Sequence, residues 1–383
     1  MIGRKWYAGP QKFCKAAPTD LWEKSEGEIV GENTEGQSMQ AWRVHRYGQP
    51  LEVLTLEDAP VPTPAANEVL VEVEAIPLNL NDIERITGGN MMAAPEFPYS
   101  PGMEVFGRVV AAGEGAEQWQ GQRVAGITRQ AHGGYAQFAI CPSVNVFAIP
   151  EDIALPDAAA LLFPFHLAWL GLVNRADLRS GESVLIHAAA GGSGSAAVQL
   201  AKAFGATVFA TCGSDEKVVF CKSLGADFVY NYETDDWAAG VLEETGNQGV
   251  DVVFDNVGPA VMEKSFACTA YNGRYLMMGF ASDKTRADEA SIVPRRVIMG
   301  NIKLCGVLLN YQSDEMVDFM KSAMGWNVAP RALGELAMAD ILELVRSGAV
   351  QAVVGATPSF AELPQAVVDL GQRKTIGRTI VLL

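Results

Sequence analysis

The segment Ser183-Val-Leu-Ile-His-Ala-Ala-Ala-Gly-Gly-Ser-Gly-Ser-Ala-Ala-Val-Gln-Leu-Ala holds the residues whose types and spacing speak most directly of chemistry. A short apolar run at 183–187 leads into a turn of the form A-x-G-x-x-G, from Ala189 to Gly194. Residues 195–204 follow with helical composition. Glycines in such a turn let the main chain approach a pyrophosphate and let the helix pack closely on the strand. The helix start then offers free N–H groups to phosphate oxygens. A glycine pattern alone would describe a flexible turn equally well. The strand before it and the helix after it favour a dinucleotide site.

The next strand-like run, residues 207–211, ends in Cys212-Gly213-Ser214. Sites for NAD place an Asp or Glu about 20 residues after the glycine turn, where it bonds the ribose 2′-hydroxyl. Here no carboxylate comes before Asp215, and Lys217 follows. A small uncharged turn beside a lysine suits a 2′-phosphate, which a carboxylate would repel. Lys217 alone would read as a solvated charge on a helix face. Together with the missing acid it points to NADPH.

The six cysteines form no C-x-x-C pair, and His45, His132, His166 and His187 include no i,i+4 pair, so no local metal signature exists. Sparse cysteines suit core positions in a reducing compartment, and the cytoplasm is the expected location. His166 could give a proton to an oxyanion, because histidine titrates near neutrality. A histidine hydrogen-bonded inside an apolar helix accounts for it equally well. Tyr99 and Tyr135 read as packing groups.

These residues need a scaffold to hold them. The chain has 383 residues, above the size at which one hydrophobic core stops growing, so two domains are expected. Hydrophobic residues at 49% and charged residues at 19% exclude a disordered or fibrous chain. The 45 acids against 29 bases leave a net charge of −16, a surface that repels nucleic-acid phosphates. Mean hydropathy is +0.11, yet no apolar run reaches the ~18 residues a spanning helix needs. The nearest, 158–173, is interrupted by Pro164 and His166. Residues 1–38 carry five bases and six acids with little apolar periodicity, and read as a loosely ordered extension.

Residues 40–150 hold short strand-like runs, at 41–45, 69–75, 107–112, 123–127 and 135–141, separated by Pro- and Gly-containing turns. After a helical stretch at 158–172 the pattern changes. Strand-like runs at 183–187, 207–211, 251–255 and 274–278 alternate with helical ones at 195–204, 216–224 and 262–269, which implies βαβ units and a parallel sheet. A helix at 340–347, a strand near 352–355, a helix at 361–370 and a strand at 378–382 close the chain.

Asn79-Leu-Asn-Asp, Pro101-Gly-Met-Glu, Gly133-Gly-Tyr-Ala, the glycine turn, Gly213-Ser-Asp-Glu-Lys, Leu224-Gly-Ala-Asp, Asn231-Tyr and Lys374-Thr-Ile-Gly-Arg occur in this order. Over nearly all of 39–383 the sequence resembles the medium-chain dehydrogenase/reductase superfamily, specifically its zinc-independent quinone oxidoreductase branch. The resemblance implies an α/β fold with a GroES-like β-barrel catalytic domain (39–160). A Rossmann doubly wound parallel-sheet domain for NADPH (161–308) would interrupt it, with 309–383 returning to the catalytic domain. It also implies that Gly191, Gly192, Ser193 and Gly194 cradle the pyrophosphate and that Ser214, Lys217 and Tyr232 surround the 2′-phosphate. Asn256, Gly279 and Val307 would line the rest of the cofactor groove. Asn79 would lie by the nicotinamide, and Asn79 and His166 would border the substrate. A homodimer joined through Rossmann-domain edge strands is implied as well.

Zinc-dependent relatives carry a Cys where this chain has Asn79 and a His where it has Met103. An amide is a poor zinc ligand and a thioether prefers softer metals, so no metal is expected. That leaves hydride transfer to an already polarised acceptor, a quinone or related α,β-unsaturated carbonyl. Reduction of enones or enoyl-thioesters, and nucleotide binding without turnover, are the alternatives. Three departures from the family pattern bear on the substrate: Ser193 replaces a valine, Glu84 a tyrosine, and His166-Leu-Ala-Trp the usual Leu-Thr-Ala-Trp.

Overall fold

The computed structural model describes residues 30–31, 36–89, 95–278 and 292–383. In strand Glu68–Pro77, Val69, Val71 and Val73 pack into one apolar core and Leu70 into another on the opposite face, as period-two alternation requires. This strand is the spine of a largely antiparallel sheet. Glu104–Ala112, Phe138–Pro142 and Arg378–Leu382 all pair with it antiparallel. Arg123–Ile127 and Val146–Ala148 extend the sheet beyond Glu104–Ala112. The last strand of the chain thus returns to the first domain, with Ile380 opposite Pro77. Of the expected N-terminal extension, Val30–Gly31 pairs with Ala112 and Ala111, and Ser38 opens a strand, Ser38–Arg43, that pairs with Thr55–Pro60. Residues 1–29 and 32–35 lie outside the described residues.

The second sheet has six parallel strands, in the order Phe228–Asn231, Thr207–Cys212, Ser183–Ile186, Val250–Asp255, Thr269–Met277 and Lys303–Gly306. Numbered along the chain this is 3-2-1-4-5-6, the doubly wound Rossmann order, which reverses beside Ser183–Ile186. Val184, Leu185 and Ile186 are all fully buried. Val184 and Ile186 enter one core and Leu185 the other, because helices cover both faces. Phe228–Asn231 is absent from the sequence reading for a physical reason. Phe228, Val229 and Tyr230 are only half-buried at a sheet edge, and their apolar run is only three residues long.

Between the two sheets runs a continuous helical stretch: a 3₁₀ turn at Ala158–Ala160, the α-helix Leu162–Trp169 and a wider π-type turn at Leu170–Arg175. Pro164 sits in the first turn of the α-helix, where its missing N–H has no partner to lose. Residues 158–175 are long and apolar enough to cross a membrane, but 72% of this stretch is buried inside the protein. It is a core element, packed on helix Gly192–Ala203.

Candidate functional site

Ser183–Ile186 ends at the carboxyl edge of the parallel sheet, beside the order reversal where ligands of doubly wound sheets bind. Ala188 turns the chain in the left-handed region (φ +52°), and helix Gly192–Ala203 begins immediately after Gly191. The first amides of that helix have no carbonyl one turn earlier, so they face outward as anion donors. Gly194 is where a side chain is impossible. A Cβ there would overlap the Ala188 carbonyl oxygen and lie 2.7 Å from Ala189 Cα. At Gly191 the nearest atom is 3.4 Å away, so that glycine is not required by packing.

The neighbouring strand, Thr207–Cys212, ends in the second expected cluster. Ser214 caps helix Asp215–Ser223, its Oγ accepting from the Lys217 amide at 3.3 Å. The Tyr232 amide donates to Cys212 O at 2.9 Å, and its hydroxyl lies over Gly213, leaving no room for a Cβ there. Ser214, Lys217 and Tyr232 therefore converge on one turn. The Asp215 carboxylate is engaged by Asn231 Nδ2 at 2.9 Å. Lys217 Nζ donates across the domain boundary to the Arg373 carbonyl at 2.7 Å, a contact the sequence reading did not anticipate.

Asn256 follows Val250–Asp255 on the same carboxyl edge, half-buried. Its turn is held by Asp255, which accepts from the Val257 and Gly258 amides at 2.7 and 2.8 Å and from the Tyr275 hydroxyl. Burial pushes the Asp255 carboxyl above its ordinary value. Val307 lies just past Lys303–Gly306, its amide on Met277 O at 2.9 Å. Gly279 lies outside the described residues.

The opposite wall comes from the barrel. Asn79 precedes helix Leu80–Thr87 and is buried. Its Nδ2 donates to Pro77 O at 3.1 Å and to Glu104 Oε2 at 3.0 Å, and its Oδ1 accepts from Arg378 Nη1 at 2.9 Å. Arg378 Nη2 also donates to Glu104 Oε2, while Glu104 Oε1 accepts the Phe163 amide at 3.1 Å. Asp82 fixes the same corner by accepting from the Asn79 and Met103 amides at 2.9 and 3.0 Å. Complete burial pushes its carboxyl up to about 6.

Arg378 links the two walls. A Cβ on Gly192 would sit 2.6 Å from Arg378 Cδ, so the arginine stem lies against the glycine turn. Gly377, next to it, donates its amide to Ala190 O at 2.8 Å. Arg378 Nε is buried without a hydrogen-bond partner among the described residues. A buried cationic donor left open beside free helix-start amides is what a phosphate group would complete. Glu104 and Arg378 are the residues that sequence reasoning missed as site residues. Both lie inside quoted motifs, Pro101-Gly-Met-Glu and Lys374-Thr-Ile-Gly-Arg, but nothing in the spacing says that they meet.

His166 has different company. It is fully buried, its Nδ1 is 3.0 Å from the Tyr311 hydroxyl, and its ring lies 4.7 Å from that of Phe147. Burial, helped by the Arg331 charge, lowers it to about 3. At neutral pH it has no extra proton to give, so the expectation of a proton source meets a neutral core histidine. His187 is a second such case. It sits between Thr211 Oγ1 (2.9 Å) and Ser265 Oγ (2.8 Å), and burial lowers it to about 3. Among the described residues no three His, Cys, Asp or Glu side chains gather as a metal site.

Known proteins share this fold. Residues 65–151 match the alcohol dehydrogenase GroES-like domain family, and 192–322 the zinc-binding dehydrogenase family. A human quinone oxidoreductase is 32% identical over 67% of this chain and 79% of its own length. A mycobacterial protein solved as a complex with NADPH superimposes with a TM-score of 0.76 at 30% identity, covering 90% of this chain and all of that one. A crystallised enoyl reductase does so with a TM-score of 0.73 at 28% identity, over 90% of this chain and 99% of its own.

Proposed function

This chain belongs to the medium-chain dehydrogenase/reductase family, and from that premise we propose that it transfers a hydride from NADPH to a quinone or related α,β-unsaturated carbonyl. The observation that carries the choice of cofactor is the turn at Ser214, Lys217 and Tyr232. Ser214 and Tyr232 bring hydroxyls to it, Lys217 on the adjoining helix carries a cation whose Nζ rests on the Arg373 carbonyl, and the Asp215 carboxylate is engaged by Asn231. The amides at the start of helix Gly192–Ala203, with Ser193 among them, would take the pyrophosphate from one side and Arg378 from the other. Asn256 and Val307 would line the groove between. Once bound, the nicotinamide supplies the hydride. The protein's part is to align it with the acceptor and keep water out. With His166 neutral, solvent delivers the proton. The pair at Asn79 and Met103, an amide and a thioether, does not suit Zn²⁺, so the acceptor must arrive polarised by its own conjugation.

The test is oxidation of NADPH and of NADH with a panel of quinones, enones and enoyl-thioesters. Faster turnover of NADPH with quinones is the expected outcome. Faster turnover with enoyl-thioesters would move the substrate to that class, in line with the enoyl reductase neighbour. Binding without any acceptor-dependent oxidation would remove the enzymatic reading.

We also propose a cytoplasmic homodimer. Cys141, Cys212, Cys221, Cys268 and Cys305 are free thiols, as a reducing compartment allows. One sheet edge, Lys303–Gly306, lies near the exposed apolar side chains of Ile298, Met299 and Leu308, which a second copy would cover.

A further inference from the structure

We propose that Glu104 is a positioning residue for hydride transfer, acting through Asn79 and Arg378. The inference rests on the cofactor reading above and adds how the barrel wall is held to it. The orientation of the Asn79 amide is fixed by chemistry. Arg378 can only donate, so the atom it meets is Oδ1; the carboxylate of Glu104 accepts, so the atom facing it is Nδ2. Both N–H bonds of that amide then end inside the protein, on Pro77 O and Glu104 Oε2. Asn79 has no donor left for the oxygen of an acceptor. What it contributes to the site is shape, and that shape is set by Glu104.

The same carboxylate reaches further. Its Oε1 takes the amide of Phe163, at the start of the helix that carries the chain from barrel to parallel sheet. Its Oε2 takes Arg378, whose stem lies on Gly192 of the phosphate turn. One fully buried side chain therefore joins the barrel, the linking helix and the last strand at the point where the two domains face each other. A nicotinamide and its acceptor between those walls would be spaced by this junction. Alignment of reacting groups is sensitive to shifts of about 1 Å, which can cost on the order of 100-fold in rate.

The test is E104Q in the full-length protein, which keeps the side chain's shape but replaces one accepting oxygen with an N–H₂ group. The expected result is a kcat lower by at least about tenfold. Cofactor Kd should rise by a smaller factor than kcat falls, and the primary isotope effect with cofactor deuterated at both C4 positions should be larger. A merely structural carboxylate would lower Tm and leave the isotope effect where it was. Folded E104Q with wild-type kcat and isotope effect would overturn the proposal. If E104Q does not fold, N79A removes the amide while leaving the Glu104–Arg378 pair, and the same two readings decide. A wild-type protein that oxidises no nicotinamide cofactor with any acceptor would sink the functional reading and this inference with it. Wild-type turnover with unaffected variants would sink this inference alone.

Discussion

The two walls of the cleft are built in opposite ways. The parallel-sheet wall comes from a strand, a turn and a helix that are continuous in sequence, and the cap at Ser214 repeats that pattern one strand over. The donors of its glycine turn are backbone amides, positioned by helix geometry. The barrel wall is assembled from the Asn79, Glu104 and Arg378 side chains and the Phe163 amide, drawn from four distant segments, and its side chains are held by one another. A wall made of local backbone tolerates side-chain change except where space runs out. A wall made of mutual side-chain bonds fails as a unit.

That contrast can be broken most severely at Glu104. E104A would leave Arg378 buried and uncompensated, at a cost of about 3–5 kcal/mol, read as a drop in the chemical-denaturation midpoint. A G191A change on the parallel-sheet wall, whose Cβ would come no nearer than 3.4 Å to another atom, should cost far less, and equal losses would erase the distinction. Next in size is G194A, where the obstacle is main chain. Roughly 1–3 kcal/mol of stability should go, together with cofactor binding, measured by fluorescence titration.

Acid probes the parallel-sheet wall in a different way. His187 holds the end of the first strand as a neutral ring, with its folded value near 3 against an ordinary 6.5. Between those values the unfolded chain binds more protons, so stability falls as pH drops from about 6.5 toward 3, by about 1.4 kcal/mol per pH unit for each such histidine. H187Q should flatten that limb of the midpoint-against-pH curve. Asp82 acts in the opposite sense. Its raised value means that stability falls as pH rises from its ordinary 3.8 to about 6, so D82N should steepen the acid limb.

K217A should weaken NADPH by roughly 10- to 100-fold and leave NADH within a few-fold, because one charge-assisted contact is lost to the phosphate alone. Equal weakening of both would place Lys217 outside the 2′-phosphate pocket. The smallest effect is expected from H166N: between pH 6 and 9 the shape of the kcat profile should not change, since His166 stays neutral throughout.

Most of the parallel-sheet wall was legible in the sequence because everything that makes it is local. Gly194 announces a close approach, and the glycine turn lies between the strand and the helix that its flanking residues announce. Elements at the margin were harder to read, such as Phe228–Asn231, whose apolar run is only three residues long. The barrel wall was legible only as fragments. Glu104 and Arg378 are 274 positions apart, and no periodicity relates them. His166 shows the converse. Its residue type suggested acid–base chemistry, but complete burial beside the Arg331 charge, which only the fold supplies, keeps the ring neutral.

The return of the last strand to the first domain also sets an order of events during synthesis. The six strands of the parallel sheet are complete once residue 306 has emerged from the ribosome, and that unit can fold behind its leading end. The barrel must wait for Arg378–Leu382 to fill the place beside Glu68–Pro77. Until then Glu104 lacks its arginine. The phosphate turn is therefore made long before Arg378, the residue that faces it.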